Sequence, residues 1–385
     1  MTPASTTRVS LQQRVAAAAA GEVAAWADEV DRLARFPSEA VAALRAAGAW
    51  SAGVPVELGG EGASLRELCE AMVEIGRACG ATATVFAMHQ IQVACLSRHT
   101  RTAEADAFLR RVATEQLLIA SCTTELGKGG DVRASTCAVT VEGDTYSLEK
   151  QAPVISFGEH ADAVLVTARR TPDSAANEQV LVLCEPPGLT LTPTSTWDAL
   201  GYRGSCSRGF VLTGSGPVGA VQPDDFGLVS ARTMVPYTHL LWAASWVGLA
   251  GAAATKARAF VQAQARRQPG TLPLAAPRLA ELMAVLQQLT ALYEDALRLV
   301  ESAGPEELDS FATAIRLNAL KVSGSALVLQ VVSLALLTIG MAGYASTGPF
   351  SLSRLLRDAH GAALMLSNDR LVATNAQLLM AARGV

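Results

Sequence analysis

Histidine is scarce in this 385-residue chain, with five in all, and no His–Cys spacing suggests zinc, so no metal is expected. The seven cysteines (69, 79, 95, 122, 137, 184 and 206) form no Cys-x-x-Cys pair. An odd, dispersed set reads as reduced thiols of a cytoplasmic protein. Charge is sparse as well: 17% of residues, with 31 basic against 35 acidic side chains and a net charge of -4. That balance lacks the clustered positive field of a duplex-DNA binder, so no nucleic-acid partner is expected. Aromatics make up only 5% of the chain, and no internal repeat is present. The N-terminus leads into a helix carrying Arg14, Glu22 and Asp28, which is no secretory h-region.

What the chain has is apolar residues. Half of it is hydrophobic and the mean hydropathy is +0.27, which excludes a disordered chain and raises the question of a membrane span. Two runs lack charge, Met234 to Thr255 and Val322 to Ser353. Gln330, Ser333 and Thr338 interrupt the longer run, Gly340, Gly343 and Gly348 close it, and the other holds Pro236, His239 and two tryptophans. Neither is flanked by a basic cluster that would fix an orientation. Both are expected as buried helices, not membrane spans.

Three segments differ in period. Residues 1–118 read as a helical domain, with Pro37 opening a helix that Gly48 stops. Residues 119–228 read as an antiparallel β domain. Short apolar runs alternate with turns there, and Gly143-Asp144 between Val141 and Tyr146 is a hairpin signal. Residues 229–385 return to helical spacing, with Leu279, Leu282, Met283, Leu286, Leu289, Leu292, Ala296 and Val300 on one face. Gln268-Pro-Gly and Gly304-Pro305 mark two joints, giving four long helices.

Several ordered segments then resemble one family. Thr123-Thr-Glu-Leu-Gly-Lys-Gly-Gly-Asp131 is similar to the Thr-Glu-x-Gly-x-Gly-Ser-Asp signature of the acyl-CoA dehydrogenases, with Gly130 where serine is usual. Gly143 to Asp162, Leu200-Gly-Tyr-Arg-Gly-Ser205, Ile339-Gly-Met-Ala-Gly-Tyr344 and Leu356-Arg-Asp-Ala359 follow in family order, and the Phe36-Pro37 to Gly60 region resembles the family's N-terminal helices. The resemblance implies a mainly α fold: a helical N-terminal domain, a β middle domain and a C-terminal four-helix bundle. It also implies FAD, and a homodimer or homotetramer in which a neighbouring subunit completes the flavin site. The low charge fraction fits a large shared interface.

By motif position, Thr124 and Ser156 would hydrogen-bond the isoalloxazine, and the Gly129–Gly130 backbone would approach the cofactor. Arg266 resembles the arginine that reaches the partner's FAD diphosphate, with Arg267 a close rival, and Gly340 and Gly343 belong to the cofactor set. His89, Ser121 and Met365 are candidate substrate contacts. Glu125 and Asp131 read as carboxylates that order the loop.

Dehydrogenation of an acyl thioester needs a base for the α-proton while the β-hydrogen leaves as hydride. The family commonly places a glutamate nine residues after the arginine of Arg-Asp-Ala; from Arg357 that position is Leu366. A leucine takes no proton. His239, near an alternative base position on the first bundle helix, and Asp369, just past Leu366, are the substitute candidates. The expected activity is FAD-dependent α,β-oxidation of an acyl or aminoacyl thioester on coenzyme A or a carrier protein, with an electron-transfer partner. The Ala-rich, Arg-over-Lys composition is associated with specialised biosynthesis in high-GC bacteria. The alternatives are a monooxygenase using reduced flavin and O2, which needs no such base, and a non-catalytic flavin or acyl binder.

Overall fold

The computed structural model describes residues 9–128 and 132–381. Six helices come first: α1 (Leu11–Ala18), α2 (Ala24–Leu33), α3 (Ser38–Ala46), α4 (Leu65–Ala78), α5 (Gly80–Ser97) and α6 (Ala103–Glu115). Their starts follow from side chains that satisfy otherwise orphaned N–H groups. Ser10 with Gln13 and Ser64 with Glu67 form capping boxes, and Thr102 caps α6. α5 has no polar face, and 16 of its 18 residues are buried, which places it at the centre of the helical layer.

Seven strands follow: β1 (Ile119–Cys122), β2 (Thr140–Glu142), β3 (Thr145–Ile155), β4 (Ala163–Arg169), β5 (Gln179–Cys184), β6 (Leu189–Pro193) and β7 (Arg208–Pro217). They build a three-stranded sheet, β1-β4-β5, and a four-stranded sheet, β2-β3-β7-β6. Gly143, at φ +60, makes the β2–β3 hairpin turn where the dipeptide predicted it. The expected all-antiparallel pairing is corrected at one place: β1 runs parallel to β4. The chain between them passes through β2 and β3 of the other sheet, a crossover long enough to bring β4 back in the same direction.

The C-terminal part comprises α7 (Phe226–Val229), α8 (Val235–Arg267), α9 (Ala276–Ser302), α10 (Pro305–Leu308), α11 (Phe311–Ile339), α12 (Met341–Tyr344), α13 (Ser353–Leu364) and α14 (Asn368–Ala381). α8, α9 and α11 are the long bundle helices. The fourth is broken, because Leu366 (φ +58) and Ser367 (φ +34) turn the chain between α13 and α14. On α9 the buried face is Leu282, Val285, Leu289, Tyr293, Ala296 and Leu297, a stripe rotated from the expected one that leaves Met283 42% exposed.

α11 is long and apolar enough to cross a bilayer by length and composition, yet it packs among α8, α9, α13 and α14. The other uncharged run lies within α8, apart from its first residue. The bundle docks on the N-terminal helices through glycine. A Cβ on Gly76 would meet the Ser245 carbonyl oxygen at 2.5 Å, and one on Gly248 the Val73 oxygen at 2.2 Å, so α4 and α8 touch backbone to backbone.

Candidate functional site

The loop leaving β1 is held by a buried carboxylate. Glu125 accepts hydrogen bonds from the Ser135 hydroxyl (2.6 Å), the Thr136 N–H (2.9 Å), the Cys137 N–H (3.0 Å) and the Thr136 hydroxyl. Buried Lys150 stands 3.8 Å away and donates to the Thr167 carbonyl (2.6 Å) and hydroxyl (2.8 Å). Burial alone would raise the Glu125 pKa. The Ser135 and Thr136 hydrogen bonds, with Lys150, hold it below the ordinary carboxylate value instead. The carboxylate therefore orders both ends of the loop. Gly129, Gly130 and Asp131 lie outside the described residues.

Thr124 and Ser156 come together on one edge. The Thr124 hydroxyl donates to the Val154 carbonyl at 3.0 Å and the Leu126 N–H to the Gln151 carbonyl at 2.9 Å, so the loop runs along the end of β3. Ser156, just past that end, shares a hydrogen bond with Ser207 (2.9 Å), which shares one with Ser205 (2.7 Å). Two sequence motifs far apart in the chain thus present hydroxyls within two residues of Val154. Ser121 is buried on β1 opposite Leu165.

His89 is a joint between elements. Its Nε2 lies 2.6 Å from the Trp50 carbonyl and its Nδ1 accepts the Ile119 N–H at 3.1 Å, which ties α5 to the start of β1. Burial lowers its pKa to about 4, so the ring is neutral. Both nitrogens are committed to backbone.

His239 is also buried, in the α8–α11 contact. Its ring hydrogen-bonds the Leu317 backbone, whereas Nδ1 has no partner among the described residues. Burial, then the nearby Lys321, lower its pKa to about 4. Asp369 is exposed in the first turn of α14. Met365 closes α13 and is partly buried against the core, while Leu366 is 44% exposed in the α13–α14 break. Lys321 links these surroundings: it acts on His239 and donates to Asn368, the residue before Asp369.

Of the remaining cofactor candidates, Gly340 and Arg266 are exposed and Gly343 is buried. Gly340 (φ +72) ends α11, and a Cβ there would meet nothing within 4 Å; Gly343 lies against Ile339. Arg266 is exposed near the end of α8 with no hydrogen bond or ion pair among the described residues.

Sequence reasoning missed how two of its motifs meet. The Tyr202 N–H donates to Asp358 at 2.6 Å, Arg357 donates to the Leu200 carbonyl at 3.0 Å and pairs with Asp31 on α2, and Arg354 reaches Asp28 at 3.0 Å. Burial pushes Asp358 up to about 6. A Cβ on Gly201 would strike the Arg357 oxygen at 2.4 Å, so glycine is required. The signal was present in Leu-Gly-Tyr and Arg-Asp-Ala, but only the fold pairs them.

Residues 5–116 match the family Acyl-CoA dehydrogenase, N-terminal domain, and residues 225–365 match Acyl-CoA dehydrogenase, C-terminal domain. The probable acyl-CoA dehydrogenase fadE25 of Mycobacterium leprae is 26% identical over 367 residues, covering 91% of this chain and 89% of that protein. Among solved structures, butyryl-CoA dehydrogenase from Megasphaera elsdenii superposes with a TM-score of 0.79 at 20% identity, covering 97% of this chain and 98% of the other. Dibenzothiophene monooxygenase (TdsC) from Paenibacillus sp. A11-2 has the same TM-score of 0.79 at 18% identity, with 97% of each chain covered. The FMN-bound form of TdsC superposes at 0.83, so a dehydrogenase and a monooxygenase share this shape and the fold does not choose between them.

Proposed function

The chain belongs to the acyl-CoA dehydrogenase family, and from that premise we propose that it is a flavin-dependent oxidoreductase acting on a thioester-activated acyl or aminoacyl group. The observation that carries this reading is the convergence of Thr124 and Ser156 beside Val154, on a loop whose ends Glu125 holds. This arrangement fits a flavin: paired hydroxyls for a heteroaromatic edge, and a glycine-rich backbone segment between fixed points. FAD, not FMN, is the cofactor proposed, because Arg266 presents a guanidinium with no partner among the described residues and Gly340 an open approach for a diphosphate and nucleoside contributed across a subunit contact. The assembly is accordingly a homodimer or homotetramer in the cytoplasm, with coenzyme A or a carrier protein holding the acyl group.

Bound flavin supplies the acceptor for the hydride that leaves the β-carbon. Thr124 and Ser156 would orient that ring, and Glu125, with Lys150 beside it, ties the start of the loop to Ser135, Thr136 and Cys137. His89 acts through structure, holding α5 against β1. The α-proton must go to a group other than position 366.

A second reading is supported by that same position. With leucine at 366, His239 enclosed between α8 and α11, and Asp369 exposed on α14, a monooxygenase working with reduced flavin and O2 has the advantage of needing no α-proton base. One anaerobic experiment separates the two. Oxidised, flavin-loaded protein is mixed with acyl-CoA and acyl-carrier-protein thioesters while the visible flavin band is followed. Bleaching without oxygen supports dehydrogenation. Persistent colour, with product formed only after a reductase and O2 are supplied, rejects it for the monooxygenase.

A further inference from the structure

The turn between α13 and α14 needs a cause. Leu366 and Ser367 are consecutive non-glycine residues at positive φ, +58 and +34. Each such residue costs on the order of 1–2 kcal/mol and persists only where surrounding contacts over-determine it. Backbone bonds at the turn are local: the Met365 N–H to the Gly361 carbonyl and the Ser367 N–H to the Leu364 carbonyl, both at 3.0 Å, and the Arg370 and Leu371 N–H groups to the Ser367 carbonyl at 3.1 and 3.2 Å.

Beneath it lies Lys321 of α11, fully buried, with no carboxylate paired to it among the described residues. An unpaired buried ammonium is costly unless its donors are used. Two are used across the turn. Nζ donates to Asn368 Oδ1 at 2.6 Å, at the start of α14, and reaches the Ala363 carbonyl at 3.4 Å, in the last turn of α13. A cation at a helix C-terminus also complements its dipole. Asn368 passes the contact on, donating from Nδ2 to Ser325 at 3.0 Å, and Asn318 donates to Asn375 at 2.8 Å one helical stretch further along α14. Burial lowers the Lys321 pKa to about 8, consistent with an ammonium held by neutral oxygens alone.

We propose that Lys321 is a positioning residue: from α11 it spans the break between α13 and α14, holding Ala363 and Asn368 so that residue 366 is presented in one geometry. The inference rests on the reading that position 366 borders the reacting acyl group. The contacts that define it do not depend on which thioester is the substrate.

The test uses the flavin-loaded full chain and amide hydrogen exchange read by mass spectrometry. Lys321→Met keeps the aliphatic stem and removes the donors. Exchange over 364–371 should rise at least tenfold, with the core of α8 unchanged. Unchanged exchange over 364–371 overturns the proposal. Asn368→Asp places a carboxylate opposite Nζ and should slow exchange there several-fold; an equal or faster rate overturns the proposal, and this arm decides alone if Lys321→Met fails to fold. With a thioester that bleaches the flavin, Lys321→Met should slow the bleaching step at least tenfold while thioester affinity stays within twofold. A loosened turn with an unchanged bleaching rate overturns the positioning role. If no thioester bleaches the wild type, the substrate reading fails while the exchange arms still decide the role of Lys321.

Discussion

Two buried histidines, one at each helical end of the molecule, share a depressed pKa of about 4 and little else. His89 spends both ring nitrogens on backbone, Trp50 on one side and Ile119 on the other, and so ties the N-terminal helices to the first strand. His239 uses one nitrogen, has no partner for Nδ1 among the described residues, and sits beside an ammonium whose proximity further disfavours its protonation. Equal burial therefore does not mean equal role. A saturated histidine is a fastener. An unsaturated one beside Lys321 marks a seam where polar groups are concentrated for another purpose.

Acid should test what the two have in common. Each ring has a folded pKa near 4 against about 6.5 when unfolded, so the unfolded state takes the proton first. The stability from burying neutral rings is complete above about pH 6.5 and is lost as pH falls toward 4. The loss is about 3 kcal/mol per histidine by linkage. Asp358, held up at about 6, works in the opposite sense and offsets part of it. Urea unfolding at pH 7 and pH 5 measures the net fall; a midpoint that does not move contradicts the neutral, buried state of both rings.

Leucine substitutions then break the symmetry. His89→Leu strands the Ile119 N–H in the core and should cost about 2–4 kcal/mol of unfolding free energy. His239→Leu removes a ring whose Nδ1 has no partner among the described residues, so the change should stay within about 1 kcal/mol. Similar losses in both variants would erase the distinction. The smallest effect expected is on turnover: His239→Leu should retain substrate-driven flavin bleaching within about twofold, because burial and nearby Lys321 disfavour the protonated ring that accepting the α-proton would create. Abolished bleaching with an intact fold would restore His239 as the base.

The order of helical, β and helical blocks was legible because side-chain periodicity and turn residues are local properties. Gly143 at the hairpin and the Pro37-to-Gly48 helix illustrate it. The parallel β1–β4 pair was not legible, since pairing direction depends on where the intervening chain travels. The α13–α14 break escaped for a related reason. Leu-Met-Leu-Ser carries no glycine or proline to announce a turn, and the groups that hold it, Lys321 and Ser325, are some 40 residues upstream.

Within the candidate site the motif residues Thr124, Ser156 and Glu125 were named from sequence. Lys150, the buried cation beside Glu125, was not, because a lysine within a strand gives no outward sign of burial.

By itself the sequence determined the family, the apolar core that half the chain supplies, and the leucine at position 366. All three are matters of residue identity and order. Only the tertiary structure decided that His89 is a fastener, that His239 lies enclosed with a nitrogen unpartnered among the described residues, and that Lys321 reaches across a helix break. Burial, hydrogen-bond partners and the charge next door are set by elements distant in the chain, and those three quantities decide what an imidazole or an ammonium can do.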